Sequence, residues 1–235
     1  MSLDRLFSAD DVVGTMRQSF TDPNAAFVAY RGGSSAGVHS QLDMGTFVYE
    51  ADGVRWIVDL GQEAARDDYY DKTRGGRWNW LRASAEGHSV LLTGNGGGKP
   101  SREAPSMDFS GGGASPYGTL DLGSAYGMSD YSRVFQLQNR RVLQIKDQIG
   151  DGLRGGGTWQ AITRAQVSAS GSTATLRQSG KTATLTVVEP AGTQVRAGRL
   201  SAGGKKINSS VDGFTAVTFD VPSGTKRVIV RISPD

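Results

Sequence analysis

The sequence predicts an all-β, antiparallel β-sandwich with a short N-terminal helix, and three observations carry that prediction. Apolar and polar residues alternate over short stretches along most of the chain, the period of a half-buried strand. Glycine supplies 33 of 235 residues, about twice the usual ~7%. It gathers in brief runs at 96–98, 111–113 and 155–157 without a Gly-X-Y period, as turns between strands do. Finally, helical periodicity is scarce.

Taken in order, residues 1–20 read as a leader in which Ser8 caps a short helix through Asp10, Val12, Val13 and Met16. Residues 21–235 read as one sandwich domain, a size that a single β domain commonly reaches. Its first strand is 26–30, ended by Gly32-Gly33. Strands 46–50 and 54–59 flank Asp52-Gly53, a hairpin signal. Strands follow at 89–93, 119–122, 133–137 and 141–147, then at 165–169, 173–178, 183–188, 194–200, 215–221 and 226–232. Residues 94–118 read as a long loop. Regular short strands with Gly, Asp and Asn turns are the pattern of a sandwich.

Composition excludes several function classes. With no cysteine, the chain has no disulfide scaffold, thiolate zinc site or cysteine nucleophile. A net charge of +3 is too small for a nucleic-acid partner. No apolar run reaches the ~18 residues of a membrane span, and the acids in the first fourteen residues leave no visible export signal. No glycine run opens onto Lys-Ser or Lys-Thr at a helix start, which argues against a phosphate loop. Charge is uneven along the chain. Residues 39–71 hold eight acids and two arginines, and 176–235 hold nine bases and four acids.

Residues 37–92 contain both histidines, His39 and His88, and the pair Tyr69-Tyr70. Arg74, Arg77 and Arg82 with Trp78 and Trp80 allow two readings. They could form a sugar-binding face, with indoles stacking on rings and guanidiniums pairing with carboxylates. Or a strand through Trp78-Asn79-Trp80 could turn both indoles into the core.

The order of motifs in this region resembles the C-terminal β-sandwich domain of the heparinase II/III-like polysaccharide lyases. The matching stretches are Phe27–Gly33 and His-x-x-x-Asp-x-Gly-Thr-Phe at 39–47. Gly53-Val54-Arg55-Trp56, Asp59-Leu60-Gly61, Arg-Trp-x-Trp-x-Arg at 77–82 and Gly87-His88-Ser89 come next. Leu120-Asp121-Leu122, Ala125-Tyr126, Arg140–Leu143, Trp159 and Gly180-Lys181 extend it, so the resemblance covers residues 20–190.

The resemblance implies a secreted or periplasmic bacterial parent enzyme that cleaves acidic polysaccharide by β-elimination. Removing the C5 proton beside the uronate carboxylate builds negative charge, and a histidine or tyrosine moves the proton. By resemblance His39 matches the catalytic histidine and Tyr70, or Tyr69, the catalytic tyrosine of the sandwich. Arg74 and Arg77 would bind substrate carboxylates. The family's zinc positions fall on Asp59, His88 and Gln41. Glutamine is a poor zinc ligand beside imidazole and carboxylate, so zinc binding is placed in doubt and a His88–Asp59 hydrogen bond becomes an alternative. If His39 were instead the missing ligand, zinc would be kept and the catalytic assignment lost. The family also closes its cleft with a helical toroid domain, which nothing in these residues could form. The sandwich alone is therefore expected to be inactive. The competing expectation is a non-catalytic carbohydrate-binding or structural module.

Overall fold

The computed structural model describes residues 2–8, 11–37, 39–63, 69, 76–94, 99, 100 and 102–235. In chain order the strands are β1 (Arg5–Ser8), β2 (Val12–Arg17), β3 (Phe27–Arg31), β4 (Gly33–Ser34), β5 (Phe47–Ala51), β6 (Val54–Ile57) and β7 (Leu91–Thr93). The middle of the chain gives β8 (Glu103–Ala104), β9 (Ser106–Ser110), β10 (Tyr117–Asp121), β11 (Tyr131–Gln138), β12 (Val142–Ile149) and β13 (Gly157–Thr163). The last third gives β14 (Gln166–Ser170), β15 (Thr173–Gln178), β16 (Lys181–Glu189), β17 (Arg196–Arg199), β18 (Thr215–Val221) and β19 (Arg227–Pro234). One short helix, α1 (Gly123–Tyr126), lies between β10 and β11.

The strands form sheets ordered β1-β2-β3-β5-β6, β14-β15-β16-β19-β12-β11-β10-β9 and β17-β18-β13-β7, with a small β4-β8 pair. The antiparallel all-β architecture is the one the sequence predicts. Aromatic contacts bind the layers: Tyr30 of β3 stacks on Phe135 of β11 at 4.5 Å, and Phe47 of β5 meets both Phe135 and Trp159. Trp159 stacks in turn on Phe219 of β18 at 5.4 Å. These rings belong to one continuous core, which explains the alternating burial of β2, β11 and β12.

The expected N-terminal helix is not formed. Residues 12–17 are strand β2, with Val12, Gly14 and Met16 buried and the residues between them half-buried. That period of two, with adjacent β-branched valines, suits a strand, and β2 pairs with β3 from Val13↔Arg31 to Arg17↔Phe27. Asp10, expected in the helix, lies outside the described residues. The interval 94–118 also contains more than loop: β8, β9 and the start of β10 fall within it. Strand β9 escaped notice because its mostly exposed residues form the sheet's edge. The Asp52-Gly53 hairpin holds, with both residues at positive φ (57° and 71°) as a two-residue primed turn demands.

Between β6 and β7 the chain leaves the ladders. Its described residues include the short 3-10 turns Gly76–Asn79, Leu81–Ala83 and Ala85–Gly87. Trp78 and Trp80 therefore do not share a strand face. Trp80 packs with Tyr69 and Ala83, while Trp78 lies against Leu42, Ala85 and Val90.

Candidate functional site

His88 ends the last of these turns and is completely buried. Its Nδ1 lies 2.8 Å from Asp59 Oδ2, and the Gly61 N–H donates to Asp59 Oδ1 at 2.8 Å. Burial alone would depress the His88 pKa. The charge and hydrogen bond of Asp59, helped by Asp43, overcome it and hold the imidazole above its ordinary value. For Asp59, burial pushes upward, but His88 and the Gly61 N–H win and lower it. The pair is thus a charge-assisted couple.

Asp43 joins this couple to the surface. Burial raises its pKa against the opposing pull of His88 and Arg31. Arg31 bonds Asp43 directly and reaches Asp11 at 2.8 Å with its other nitrogen. Arg31 and Asp11 then line a cavity of about 700 Å³ whose wall includes His39, Ser40 and Glu103. His39 is exposed there. The two histidines therefore differ sharply: His39 meets solvent at a cavity, and His88 is sealed beneath it.

A fully buried network anchors the same region from below. Arg133 pairs with Asp147 through Nε–Oδ1 at 2.6 Å and Nη2–Oδ2 at 2.9 Å. Its Nη1 donates to the carbonyls of Gly45 (2.8 Å) and Ser89 (3.5 Å). Tyr131 Oη and Trp159 Nε1 also donate to Asp147, at 3.0 and 3.2 Å. Gly45 and Ser89 sit near Asp43 and His88 in sequence, so this network fixes the backbone that carries both.

With this geometry in hand, comparison with known proteins becomes informative. No family model and no curated protein matches the sequence. Solved structures do match. A heparinase III gene product, BT4657, superposes with a TM-score of 0.78 at 17% identity, over 100% of this chain and 36% of its own. The heparan sulfate lyase HepC of Pedobacter heparinus gives 0.76 at 17% identity, over 99% and 36%. The fold is that of the heparinase III sandwich. The chain spans about a third of the length of those proteins (36%). The protein HI1317 also matches, with a TM-score of 0.55 at 8% identity, but over 94% of this chain and 99% of its own. The heparinase III sandwich fold thus covers all the residues from which the resemblance was read.

Within that fold the expected site residues separate. His39 is on the cavity wall, and Gln41 is half-buried two residues on. Asp59 and His88 pair with each other as the alternative reading required. Tyr70 and Arg74 lie outside the described residues. Tyr69 is 1% exposed and Arg77 7% exposed. Arg77 donates to the Ser40 carbonyl at 3.0 Å and lies over the rings of Tyr69 and Trp78. Tyr69 and Arg77 are thus interior residues in this structure. Arg82 is likewise buried, donating to the carbonyls of Leu60 and Ser210.

The family's zinc can be tested against this donor set. His88 Nε2 is buried with no hydrogen-bond partner, and Asp59 on its other nitrogen would be a normal outer partner for a metal-bound imidazole. The remaining ligands are not found among the described residues. Both Asp59 oxygens are taken by protein donors, and no cluster of three or more His, Asp or Glu able to hold a metal occurs among the described residues. As they stand, these residues do not fit a tetrahedral zinc site. Sequence reading also missed Arg31, Asp11 and Glu103, which share the His39 cavity. They come from β3 and from segments before β2 and in β8, too far apart in sequence for spacing to reveal. Among the described residues no helix is long and apolar enough to cross a membrane.

Proposed function

We propose that this chain is the β-sandwich domain of a polysaccharide lyase acting by β-elimination on a uronic-acid-containing polysaccharide. It would work with a helical toroid domain, in cis or in trans, and the parent enzyme would be secreted or periplasmic. The observation that carries the reading is the placement of His39. The residue singled out by resemblance is exposed on the wall of a cavity large enough for a sugar, within a sandwich of the heparinase III fold. In the reaction the C5–H bond breaks, its electron pair forms the C4–C5 double bond, and the C4–O bond to the leaving sugar breaks. His39 moves a proton between C5 and the leaving oxygen together with Tyr70. The helical domain supplies the groups that neutralise the uronate carboxylate. His88 and Asp59 position the segment and touch no substrate. Zinc has no part in this proposal.

The test is ultraviolet absorbance of the unsaturated uronyl end, with and without a helical partner domain. Product with the partner, abolished by His39→Ala, is expected. No product from any uronate polymer in any pairing would refute it. One observation favours a second reading, a non-catalytic carbohydrate-binding module: the match to HI1317 spans nearly that entire protein, so the sandwich occurs there without a large additional domain.

A further inference from the structure

We propose that a basic groove separate from the His39 cavity binds a strand of acidic polysaccharide. The inference rests on the lyase-domain reading for its ligand class and adds a site to it. Two cavities of about 480 and 410 Å³ share Arg164 and Gln178 on their walls and so adjoin each other. Arg177 and Lys181 line one half, and Arg55 and Arg82 the other. The acid on this wall is Asp59, whose Oδ2 lies 2.8 Å from His88 Nδ1.

The fold builds this concentration of charge. Gln178 and Lys181 flank the two-residue turn Ser179-Gly180, whose positive φ values (52° and 72°) fold β15 tightly onto β16, and Arg177 pairs with Thr182 one step back. Gln166 sits opposite Arg177 on β14, and Arg164 lies just before that strand. The Arg164 guanidinium rests 3.9 Å over the Phe214 ring, so it is held in place while its charge stays exposed. Arg55 pairs with Glu50, and Arg82 satisfies backbone carbonyls. Arg164, Arg177 and Lys181 have no carboxylate within 4.0 Å among the described residues, and all three are exposed.

The His39 cavity has the opposite balance. Arg31 faces Asp11 and Glu103 on its wall, and Arg31 is itself engaged by Asp11 and Asp43. A polyanion gains little there, whereas the groove offers unpaired guanidinium and ammonium groups. Gln178, Ser179 and Thr182 share this wall with the cations. Amide and hydroxyl groups beside positive charge match a chain that carries both anionic groups and hydroxyls, which favours a saccharide over a simple polyanion.

The full chain is titrated by calorimetry with a short heparan sulfate oligosaccharide and with an unsulfated polyuronate of equal length. Binding of either is expected, and the stronger arm identifies sulfate or carboxylate as the preferred group. Each exposed ion pair contributes little, so Arg164→Gln/Arg177→Gln/Lys181→Gln should weaken binding about tenfold or more. Lys226→Gln, an exposed cation outside the groove, should leave it unchanged. The altered side chains are exposed, and an unchanged circular dichroism spectrum confirms the fold. Equal affinity in the triple variant overturns the proposal, as does failure of both probes to bind. Equal binding of single-stranded DNA of matched charge assigns the groove to another ligand class and overturns it too. Groove-dependent binding without lyase activity in any pairing removes the lyase reading and keeps the groove. Lyase activity with groove-independent binding does the reverse.

Discussion

Replacing Asp147 by Asn should be among the most damaging single changes in this protein, although the side chain touches no solvent. Asp147 accepts hydrogen bonds from Arg133, Tyr131 and Trp159, and both it and Arg133 are 0% exposed. The asparagine keeps the volume but leaves a guanidinium charge buried without a counter-charge. Burial opposes that charge, and it is the Asp147 carboxylate that lifts the Arg133 pKa above its ordinary value. Removing one partner of a buried pair costs about 3–5 kcal/mol. Domain stability is only about 5–15 kcal/mol, so about a fifth or more of it is at stake. With a urea dependence of about 3 kcal/mol/M, the unfolding midpoint should fall by about 1–1.7 M.

Equilibrium urea unfolding followed by tryptophan fluorescence measures this directly. Arg133→Met with Asp147→Leu removes both charges, and should be no worse than Asp147→Asn alone despite leaving the Gly45 and Ser89 carbonyls, Tyr131 Oη and Trp159 Nε1 without these partners. A midpoint shift below about 0.3 M for Asp147→Asn, or a double variant worse than both singles, would show that the pair is not the peg described.

The His88–Asp59 couple predicts a pH profile. The raised His88 pKa contributes stability fully below about 6.5, which is lost as pH rises through its folded value. The lowered Asp59 pKa contributes above about 3.9, which is lost as pH falls through its folded value. Stability from the couple should therefore peak between roughly pH 4 and 6.5. Asp59→Asn should abolish the alkaline decline and lower the His88 titration seen by NMR; an unaltered His88 curve would refute the coupling. Gly14→Ala and Gly118→Ala should each cost about 1–3 kcal/mol or more, because an added Cβ would lie 2.0 and 1.7 Å from Tyr30. Thermal unfolding checks this, and a neutral effect would mean that Tyr30 moves freely. Metal analysis after purification in zinc should find well under one zinc per chain, and stoichiometric zinc would show that the couple opens to admit it.

What the sequence reveals follows from which interactions are local. Strands such as β15, β18 and the β5–β6 hairpin are legible because alternation and turn chemistry lie within a few residues. The sequence predicts a helix over β2 because Asp10, Val12, Val13 and Met16 can be fitted to a short helical stripe; the pairing of β2 with β3 decides the matter. The His88–Asp59 pair was visible as an alternative, since motif spacing brings both residues onto one matched set. The Arg133–Asp147 peg and the basic groove were not. Arg133 and Asp147 face each other across the β11–β12 hairpin, but the carbonyls that Arg133 serves and the residues of the groove come from segments far apart in the chain, and the groove's trace in sequence is the excess of bases after residue 176.

The arginines in the 77–82 run show why residue type alone misleads at such a site. Among the described residues, buried carbonyls around the β6–β7 connection that lie off the ladders take their donors from side chains. A guanidinium offers five donors in a fixed fork. Arg77 serves Ser40, Arg82 serves Leu60 and Ser210, and Arg133 serves Gly45 and Ser89. Arg77 is the instructive one, because Ser40 adjoins His39. Arg77→Met keeps much of the packing on Tyr69 and Trp78 but leaves the buried Ser40 carbonyl without this donor. An unmade buried hydrogen bond costs about 1–3 kcal/mol, and the loss should appear first as faster amide exchange across residues 37–42. Lysine should not rescue it, since one ammonium cannot reproduce the planar fork held between two rings. If Arg77 instead served substrate at the surface, Arg77→Met would leave exchange at 37–42 unchanged and weaken only saccharide binding. That outcome would return Arg77 to the role its sequence first suggested.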